Sequence, residues 1–341
     1  MSIEIARNAP LESFSTFRLP ATARELVLLE EADALPGLLD SDLPVMVLGG
    51  GSNTLFVDDY PGRVIVNRIR GIDSEVIDHD RVLVTAAAGE SWHALVHWTL
   101  ERGLWGIENL AMIPGLVGAA PMQNIGAYGV ELAHCLESVE VFDRQTGKIE
   151  RLAASECGLD YRHSRFKGED AGRFIILGIR FEMMMHGTPV LEYPSLLEEL
   201  ERHGHSQPGD PRTVAAAVMR VRKRKLPDPA RIANAGSFFK NPVVANEIAR
   251  KLIDRHPDLP NWPDQPGHTK LSAGWLIDQL GWRGKSVGGA QVFDRHALVL
   301  INRGNATGQD VLMLARNIRN SVGEHFGIAL QPEPVLAGGS L

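Results

Sequence analysis

Residues 114–129 read PGLVGAAPMQNIGAYG, with four glycines, two prolines and no charged side chain. Proline removes the amide that a helix interior needs, and glycine weakens helix and strand alike, so no regular element runs through this stretch. It must be an ordered loop. Gly115, Gly118, Gly126 and Gly129 remove Cβ atoms where the backbone turns with positive φ or lies flat against something, while Gln123 and Asn124 add amide donors and acceptors. Two readings fit it: a turn cluster packed on its own core, or the bed of a large planar ligand.

A chain of 341 residues exceeds one hydrophobic core, so two or three domains are expected. The net charge of −7 argues against a general nucleic-acid coat, although local basic patches stay open. MSIEIARNAP carries acidic residues and no apolar segment, and no run of about eighteen apolar residues follows. The expected location is the cytoplasm. Cys135 and Cys157 are too few for a disulfide framework, and the histidines show no HExxH spacing, so no metal site is expected.

Taken in order, residues 17–29 look strand-rich and residues 45–48 read as a buried strand ending in GGGSN at 49–53. Thr54 stands where GxGxxG needs its last glycine, and TLFV after it is strand-like, so this is not the dinucleotide fingerprint. It is a plain turn, or a nest of amides for a pyrophosphate. Ser91 can cap a helix with Trp92, Leu95, Val96 and Leu100 on one face, ended by Gly103. Residues 139–147 form a hairpin, and 174–183 a strand.

Residues 161–167, YRHSRFK, hold three permanent cations, either an exposed basic loop or a carboxylate clamp. Ser195 to Glu198 match a capping box, and Asp210-Pro211 open a further helix. Its last turn, Arg220 to Lys225, is a solvated face suited to the helix dipole, or a polyphosphate contact. NAGSFFKNP at 234–242 reads as a loop without a GxSxG elbow. Helices at 248–254, 272–280 and 307–325 and a strand at 297–301 complete an α+β unit. Pro332 and Pro334 hold Glu333 extended, as a presented carboxylate or a surface tail.

Together, GGGSN at 49–53, the 114–129 loop, YRHSRFK at 161–167, KLPDP at 225–229, NAGSFFKNP at 234–242, SAGWLID at 272–278 and Glu333 resemble type I of the MurB family. These are the FAD-dependent UDP-N-acetylenolpyruvoylglucosamine reductases, which complete UDP-N-acetylmuramate for peptidoglycan. The matches run in family order across nearly the whole chain. They imply an α+β chain with the FAD-binding fold of the vanillyl-alcohol oxidase and PCMH type. Residues 1–67, joined by 328–341, and 68–224 would be its two subdomains, and 225–327 a smaller substrate domain.

The resemblance also implies roles. Gly49, Gly50, Gly51, Ser52 and Asn53 would hold the pyrophosphate of non-covalent FAD. Ile113, Pro114, Gly118, Ala119, Gln123, Gly126 and Tyr128 would line its ring. NADPH would reduce the flavin, whose N5 would pass hydride to the enolpyruvyl methylene carbon. Arg162 and a protonated Glu333 would stabilise the enolate, and Ser237 would supply the proton. Tyr193, in a lid at 186–209, would fold over the substrate, and Tyr161, Lys225, Asn241 and Lys270 match substrate or nicotinamide contacts.

Trp262 and Pro334 depart from the family pattern, in which a tyrosine and a β-branched residue are common. No separate Rossmann unit is visible, so NADPH is expected in the cleft that later takes the sugar nucleotide. The implied partners are small molecules, without nucleic acid or membrane, acting on a monomer. Two other readings remain. An oxidase that attaches FAD through histidine lacks one before His79, and a nucleotide- or RNA-binding regulator would use the 220–225 run.

Overall fold

The computed structural model describes residues 4–341, which divide into two compact units. The first holds residues 4–8, Arg24–Gly50 and Pro61–Arg224. Its first sheet runs in the order Ala6–Pro10, Thr22–Leu29, Tyr60–Asn67, Val45–Leu48, the last two strands being parallel. The strand expected to be buried at 45–48 is an edge strand: with a neighbour on one side alone, only Leu48 is buried and Val47 is 38% exposed. Helix α1 (Leu35–Leu39) contributes Leu35 and Leu38 to a core shared with Val27, Ile65, Phe142 and Leu177.

A second, antiparallel sheet runs in the order Lys148–Ala153, Leu136–Asp143, Phe174–Met184, Arg81–Ala87, Ile72–Val76. The expected hairpin joins its first two strands, Asp143 facing Lys148. The Asp143 side chain is buried against Arg173 at 2.8 Å, and that hydrogen bond holds its carboxyl down at about 2. Helix α2 (Trp92–Glu101) begins as expected, with Ser91 Oγ accepting from the Ala94 amide. Its buried face, Trp92, Leu95, Val96 and Leu100, shares a core with Val84, Ile179 and Phe181. Each such side chain contributes roughly 1.5–3 kcal/mol.

Helices α3 (Pro194–Arg202) and α4 (Pro211–Lys225) add Leu196, Leu200, Val214 and Val218 to the same core. Asp210 opens α4 as expected, its carboxylate accepting from the Arg212 amide at 2.8 Å. The capping box expected at 195–198 does not form. Pro194 takes the first turn of α3 and Tyr193 the cap position, and the buried Ser195 Oγ has no partner among the described residues.

The second unit gathers Ala9–Ala23, Gly51–Tyr60 and Lys225–Leu341. Its main sheet is antiparallel, in the order Asn234–Ser237, Val299–Asn302, Ala290–Val292, Ser286–Val287. The stretch read as a loop from 234 therefore starts as a strand, Ser237 facing Val299, a partner that no local pattern announces. A smaller sheet pairs Val243–Ala245, His268–Leu271 and Asn261–Pro263, and Thr54–Phe56 runs parallel to Val335–Ala337.

Helices α5 (Asn246–Arg255), α6 (Ala273–Gln279) and α7 (Gly308–Phe326) pack in this unit, α7 starting with a reciprocal Thr307–Asp310 box. Its core joins Phe17 and Leu55 to Phe238, Phe239, Leu276, Val292, Leu300 and Ile318. Asn302 fixes the early segment by donating to the carbonyls of Phe17 and Arg18. Among the described residues no helix is long and apolar enough to cross a membrane.

Candidate active site

In the first unit, residues 114–129 are the ordered loop expected, built from tight turns at Val117–Ala119 and Pro121–Gln123 and a ladder of Gly126–Ala127 with Val130–Glu131. The protein grips this loop from beneath: the Trp92 amide donates to Gly115 O at 3.1 Å, and the Gly118 amide to Ala88 O at 2.9 Å. Gly50 meets the loop as bare backbone, since a Cβ there would lie 3.1 Å from Gly115 Cα. Asn124 is not available to a ligand. It is buried at φ 45, donating to the Glu131 carboxylate at 2.7 Å and accepting from the Ala133 amide at 3.0 Å.

The amides of Gly50 and Gly51 donate to no partner among the described residues. Such backbone donors suit a pyrophosphate, and an uncharged loop of glycine, alanine and proline suits a flat ring, so the residues present fit FAD.

The 161–167 segment folds onto this loop, not into solvent. Ser164 Oγ donates to Met122 O at 2.7 Å, and Lys167 Nζ to Gln123 Oε1 at 3.3 Å. Arg165 is paired with Asp170 at 2.6 Å. Arg162 donates to Gly126 O at 3.2 Å and leans over the Tyr161 ring. Its backbone sits at φ 52, a left-handed conformation costing about 1–2 kcal/mol for a residue with a side chain. Strain of this kind marks a residue held for a purpose.

Tyr128, also at φ 52, meets the ring of Tyr193 edge-on at 5.3 Å. Burial raises the Tyr128 phenol above its usual pKa, with Arg222 and Arg224 pulling the other way. Tyr193 itself is 43% exposed.

Three residues without a place in the sequence reading, and Arg222 of the basic run, support this region. Asn109, fully buried, donates to the carbonyls of Tyr128 and Val190. His93 Nδ1 accepts from the Met112 amide. Glu199, with its side chain fully buried, binds Arg220 at 2.8 Å, Arg224 at 2.5 Å and Arg202 at 3.0 Å. Burial alone would raise its pKa, but the bonds from Arg224 and Arg220 outweigh it and hold the carboxyl low. Half-buried Arg222 has its pKa lowered by burial, beside Tyr128. Arg220 and Arg224 of the basic run are thus tied to their own unit. A lone histidine, asparagine or glutamate carries no periodic signal that would have singled it out.

In the second unit, Ser237 closes its strand after Gly236, whose amide is held by Asn234 Oδ1 at 2.8 Å. One residue on, Phe238 O accepts from the Glu333 amide at 2.9 Å, and Phe239 bridges Pro332. Asn53 Nδ2 donates to Glu333 O at 3.3 Å, and the Val335 amide to Asn53 O at 2.9 Å. Asn53, Ser237 and Glu333 are therefore brought together.

Asn241 Oδ1 accepts from the Ala273 amide at the start of α6, and Lys270 Nζ lies 3.8 Å from Asp264. Trp262 faces Lys270 across the small sheet. Lys225 helps, after burial, to lower the pKa of His296. Arg162, Tyr161 and Tyr193 lie in the first unit, and Ser237, Glu333, Lys225, Asn241 and Lys270 in the second.

The family described as FAD binding domain matches residues 32–153, and that described as UDP-N-acetylenolpyruvoylglucosamine reductase, C-terminal domain, matches residues 228–337. The chain is 45% identical over 339 residues to the UDP-N-acetylenolpyruvoylglucosamine reductase of Burkholderia ambifaria, spanning 98% of this chain and 97% of that protein. To the same-named protein of Chromobacterium violaceum it is 44% identical over 341 residues, spanning 98% and 100%. The crystal structure of UDP-N-acetylenolpyruvylglucosamine reductase (MurB) from Thermus caldophilus aligns with TM-score 0.67 at 28% identity, spanning 98% of this chain and 99% of that one. The FAD-binding α+β fold implied by the sequence is the fold observed. The chain belongs to the UDP-N-acetylenolpyruvoylglucosamine reductase family.

Proposed function

We propose that Arg162, Ser237 and Glu333 carry the chemistry, with residues 49–53 and the 114–129 loop holding FAD. As a member of its family, the chain reduces UDP-N-acetylglucosamine enolpyruvate to UDP-N-acetylmuramate, with NADPH as reductant, in peptidoglycan precursor synthesis. FAD held by these residues would supply the hydride chemistry that links NADPH to the methylene carbon of the enolpyruvyl group.

The electron pair displaced from the carbon–carbon double bond then spreads onto the substrate carboxylate as an enolate. Arg162 meets that charge with a permanent cation, and Glu333, carrying a proton, with a hydrogen bond. Each donor aimed at developing charge is worth about 3–4 kcal/mol. Ser237 Oγ gives its proton to the neighbouring carbon, completing the saturated ether, and recovers one from water. An alcohol is a weak acid, but a carbanionic enolate is a strong base, and positioned proton transfer contributes roughly 10²- to 10⁴-fold.

The observation that carries this reading is the backbone hydrogen bond from the Glu333 amide to Phe238 O, beside the Phe239–Pro332 bridge, which puts the segments bearing the proposed acid and carboxyl side by side. Gly49, Gly50, Gly51, Ser52 and Asn53 take the pyrophosphate of non-covalent FAD. Ile113, Pro114, Gly118, Ala119, Gln123, Gly126 and Tyr128 take its ring, Tyr161 and Tyr193 the sugar nucleotide, and Lys225, Asn241 and Lys270 the sugar nucleotide or NADPH. The division at 67/68 and 224/225, with 328–341 returning to the first part, belongs to the same proposal; the break between the units at Arg224 and Lys225 supports its second boundary. A cytoplasmic monomer acting on small molecules, without nucleic acid or membrane, belongs to the same proposal; the charge of −7 supports the part that excludes a nucleic-acid partner.

One anaerobic absorbance trace tests the reading: NADPH should bleach the flavin band, and the enolpyruvyl substrate should restore it. A protein that takes up no FAD, or whose band stays bleached, would reject it.

A further inference from the structure

The segment that carries Tyr193 is fastened along its length inside the first unit. At its start, Gly187 lies flat on Trp105: a Cβ there would sit 2.5 Å from Trp105 Cβ. Three residues on, Val190 packs against Gly129, where an added Cβ would meet Val190 Cγ1 at 3.1 Å. Beyond Tyr193, Glu199 ties α3 to Arg220 and Arg224 of α4. The middle of the segment depends on one side chain. Asn109 Nδ2 donates to Tyr128 O at 2.8 Å and to Val190 O at 2.9 Å, so both protons of one amide hold together the flavin loop and the Tyr193 segment.

Asparagine is well chosen for this. Its two N–H bonds diverge from one nitrogen and reach two carbonyls at once, which Asp, Ser or Leu cannot do. Asn109 is fully buried, and its Oδ1 has no partner among the described residues, so the side chain leaves an acceptor unsatisfied to keep its two donors in place. Tyr128, whose carbonyl it holds, in turn touches the Tyr193 ring. Neither Asn109 proton is left for a ligand.

We propose that Asn109 is a positioning residue for the substrate step: by joining the carbonyls of Tyr128 and Val190 it holds the 187–193 segment so that Tyr193 is presented to the sugar nucleotide. This rests on reading Tyr193 as substrate-facing. Asn109 acts through backbone and touches neither substrate nor reacting atoms.

The test uses the FAD-loaded enzyme and the shape-matched variant Asn109→Leu. NADPH should bleach its flavin at the wild-type rate, while KM for the enolpyruvyl substrate in the second half-reaction rises about 10- to 100-fold, the range expected for two lost buried hydrogen bonds. Amide hydrogen exchange over 187–193 should quicken without substrate. A second variant, Gly187→Ala, lifts the segment from Trp105 and should give the same split without touching the flavin loop.

Unchanged exchange over 187–193 in Asn109→Leu overturns the proposal, and so does equal slowing of both half-reactions, which would make Asn109 a support of the flavin loop alone. Tyr193→Phe and Tyr193→Ala, measured in parallel, separate the two ideas. If both leave KM unchanged, the substrate-facing reading of Tyr193 fails, and the proposal with it. If they raise KM while Asn109→Leu does not, the positioning role alone fails.

Discussion

His93 Nδ1 accepts a hydrogen bond from the backbone amide of Met112 at 3.2 Å. Only an imidazole with a free lone pair on Nδ1 can do so, and Met112 sits at φ 60 immediately before Ile113 and Pro114 of the flavin loop. Burial, then the charges of His97, Arg222 and Lys223, lowers the His93 pKa and so favours the neutral ring this bond needs.

The sign follows from that direction. A histidine with a folded-state pKa below its unfolded value stabilises the loop above roughly pH 6.5, and that contribution is lost as pH falls through the folded value. Stability of the wild type should therefore decline as pH falls below about 6.5, by at most about 1.4 kcal/mol per pH unit for one proton. His93→Asn, which keeps an acceptor that does not titrate, should unfold with a flatter pH profile. Thermal melts from pH 7.5 to 5 compare them; parallel curves would show that His93 does not govern the loop.

Ser237→Ala should still let NADPH bleach the flavin, but its reoxidation by the enolpyruvyl substrate should slow by roughly 10²- to 10⁴-fold. Stopped-flow absorbance of each half-reaction reads the split. Normal reoxidation would remove Ser237 from the role of acid.

Arg162→Ala should slow the same half-reaction, because the enolate loses its fixed cation, a loss of about 3–4 kcal/mol. Arg162→Lys should recover little, since an ammonium on a flexible stem cannot reproduce the planar fork that donates to Gly126 O. Full recovery by lysine would mean that charge alone matters there.

Local chemistry was legible in this sequence wherever the partner lay within a few residues. Ser91 before α2, the start of α7 at Thr307 and the Asp143 to Lys148 turn each needed only their neighbours. The site motifs were legible for another reason: glycine, amide and proline recur where no regular element can use them. What escaped was set by distant pairing. Ser237 becomes a strand residue through Val299, and 54–56 find 335–337 across most of the chain. At α3 the expected Ser195 cap was displaced by Pro194, which fixes the first turn one residue earlier. On α4, residues 223–225 are exposed as the solvated-face reading expects; the tie of Arg220 and Arg224 to Glu199 escaped because that carboxylate belongs to another helix.

That carboxylate gives a stability prediction. Glu199→Gln keeps the shape but leaves Arg220 and Arg224 without their anion; water reaches both guanidiniums, so the loss should be about 1–3 kcal/mol, that of charge-assisted hydrogen bonds and not of a fully buried pair. Thermal unfolding should shift down clearly, with NADPH bleaching of the folded, FAD-loaded variant kept. Because the Glu199 pKa is held low, the difference between wild type and variant should be full above the unfolded carboxylate range near 4.3 and shrink as pH falls further. A variant as stable as wild type would make the cluster incidental.

Gly50 tests whether the glycine run matters to FAD or only to folding. It is absent from the positive-φ glycines, so alanine suits its conformation, yet the new Cβ would stand 3.1 Å from Gly115 Cα and 3.5 Å from Gly115 C. Those neighbours are backbone and cannot swing aside, so the flavin loop must retreat by a few tenths of an ångström. The apoprotein can relieve the contact by letting the loop retreat, and seating FAD must push the loop back against the roughly 1–3 kcal/mol typical of overpacking, so Gly50→Ala should lose roughly 5- to 150-fold in FAD affinity while the apoprotein melts near the wild-type temperature. Gly51→Ala is the contrast, because φ 58 and the carbonyl of Phe14 oppose a side chain whether or not FAD is present. It should lower the melting temperature of the apoprotein itself, and the same melting loss in Gly50→Ala would mean that the approach of Gly50 to Gly115 serves folding and not the cofactor.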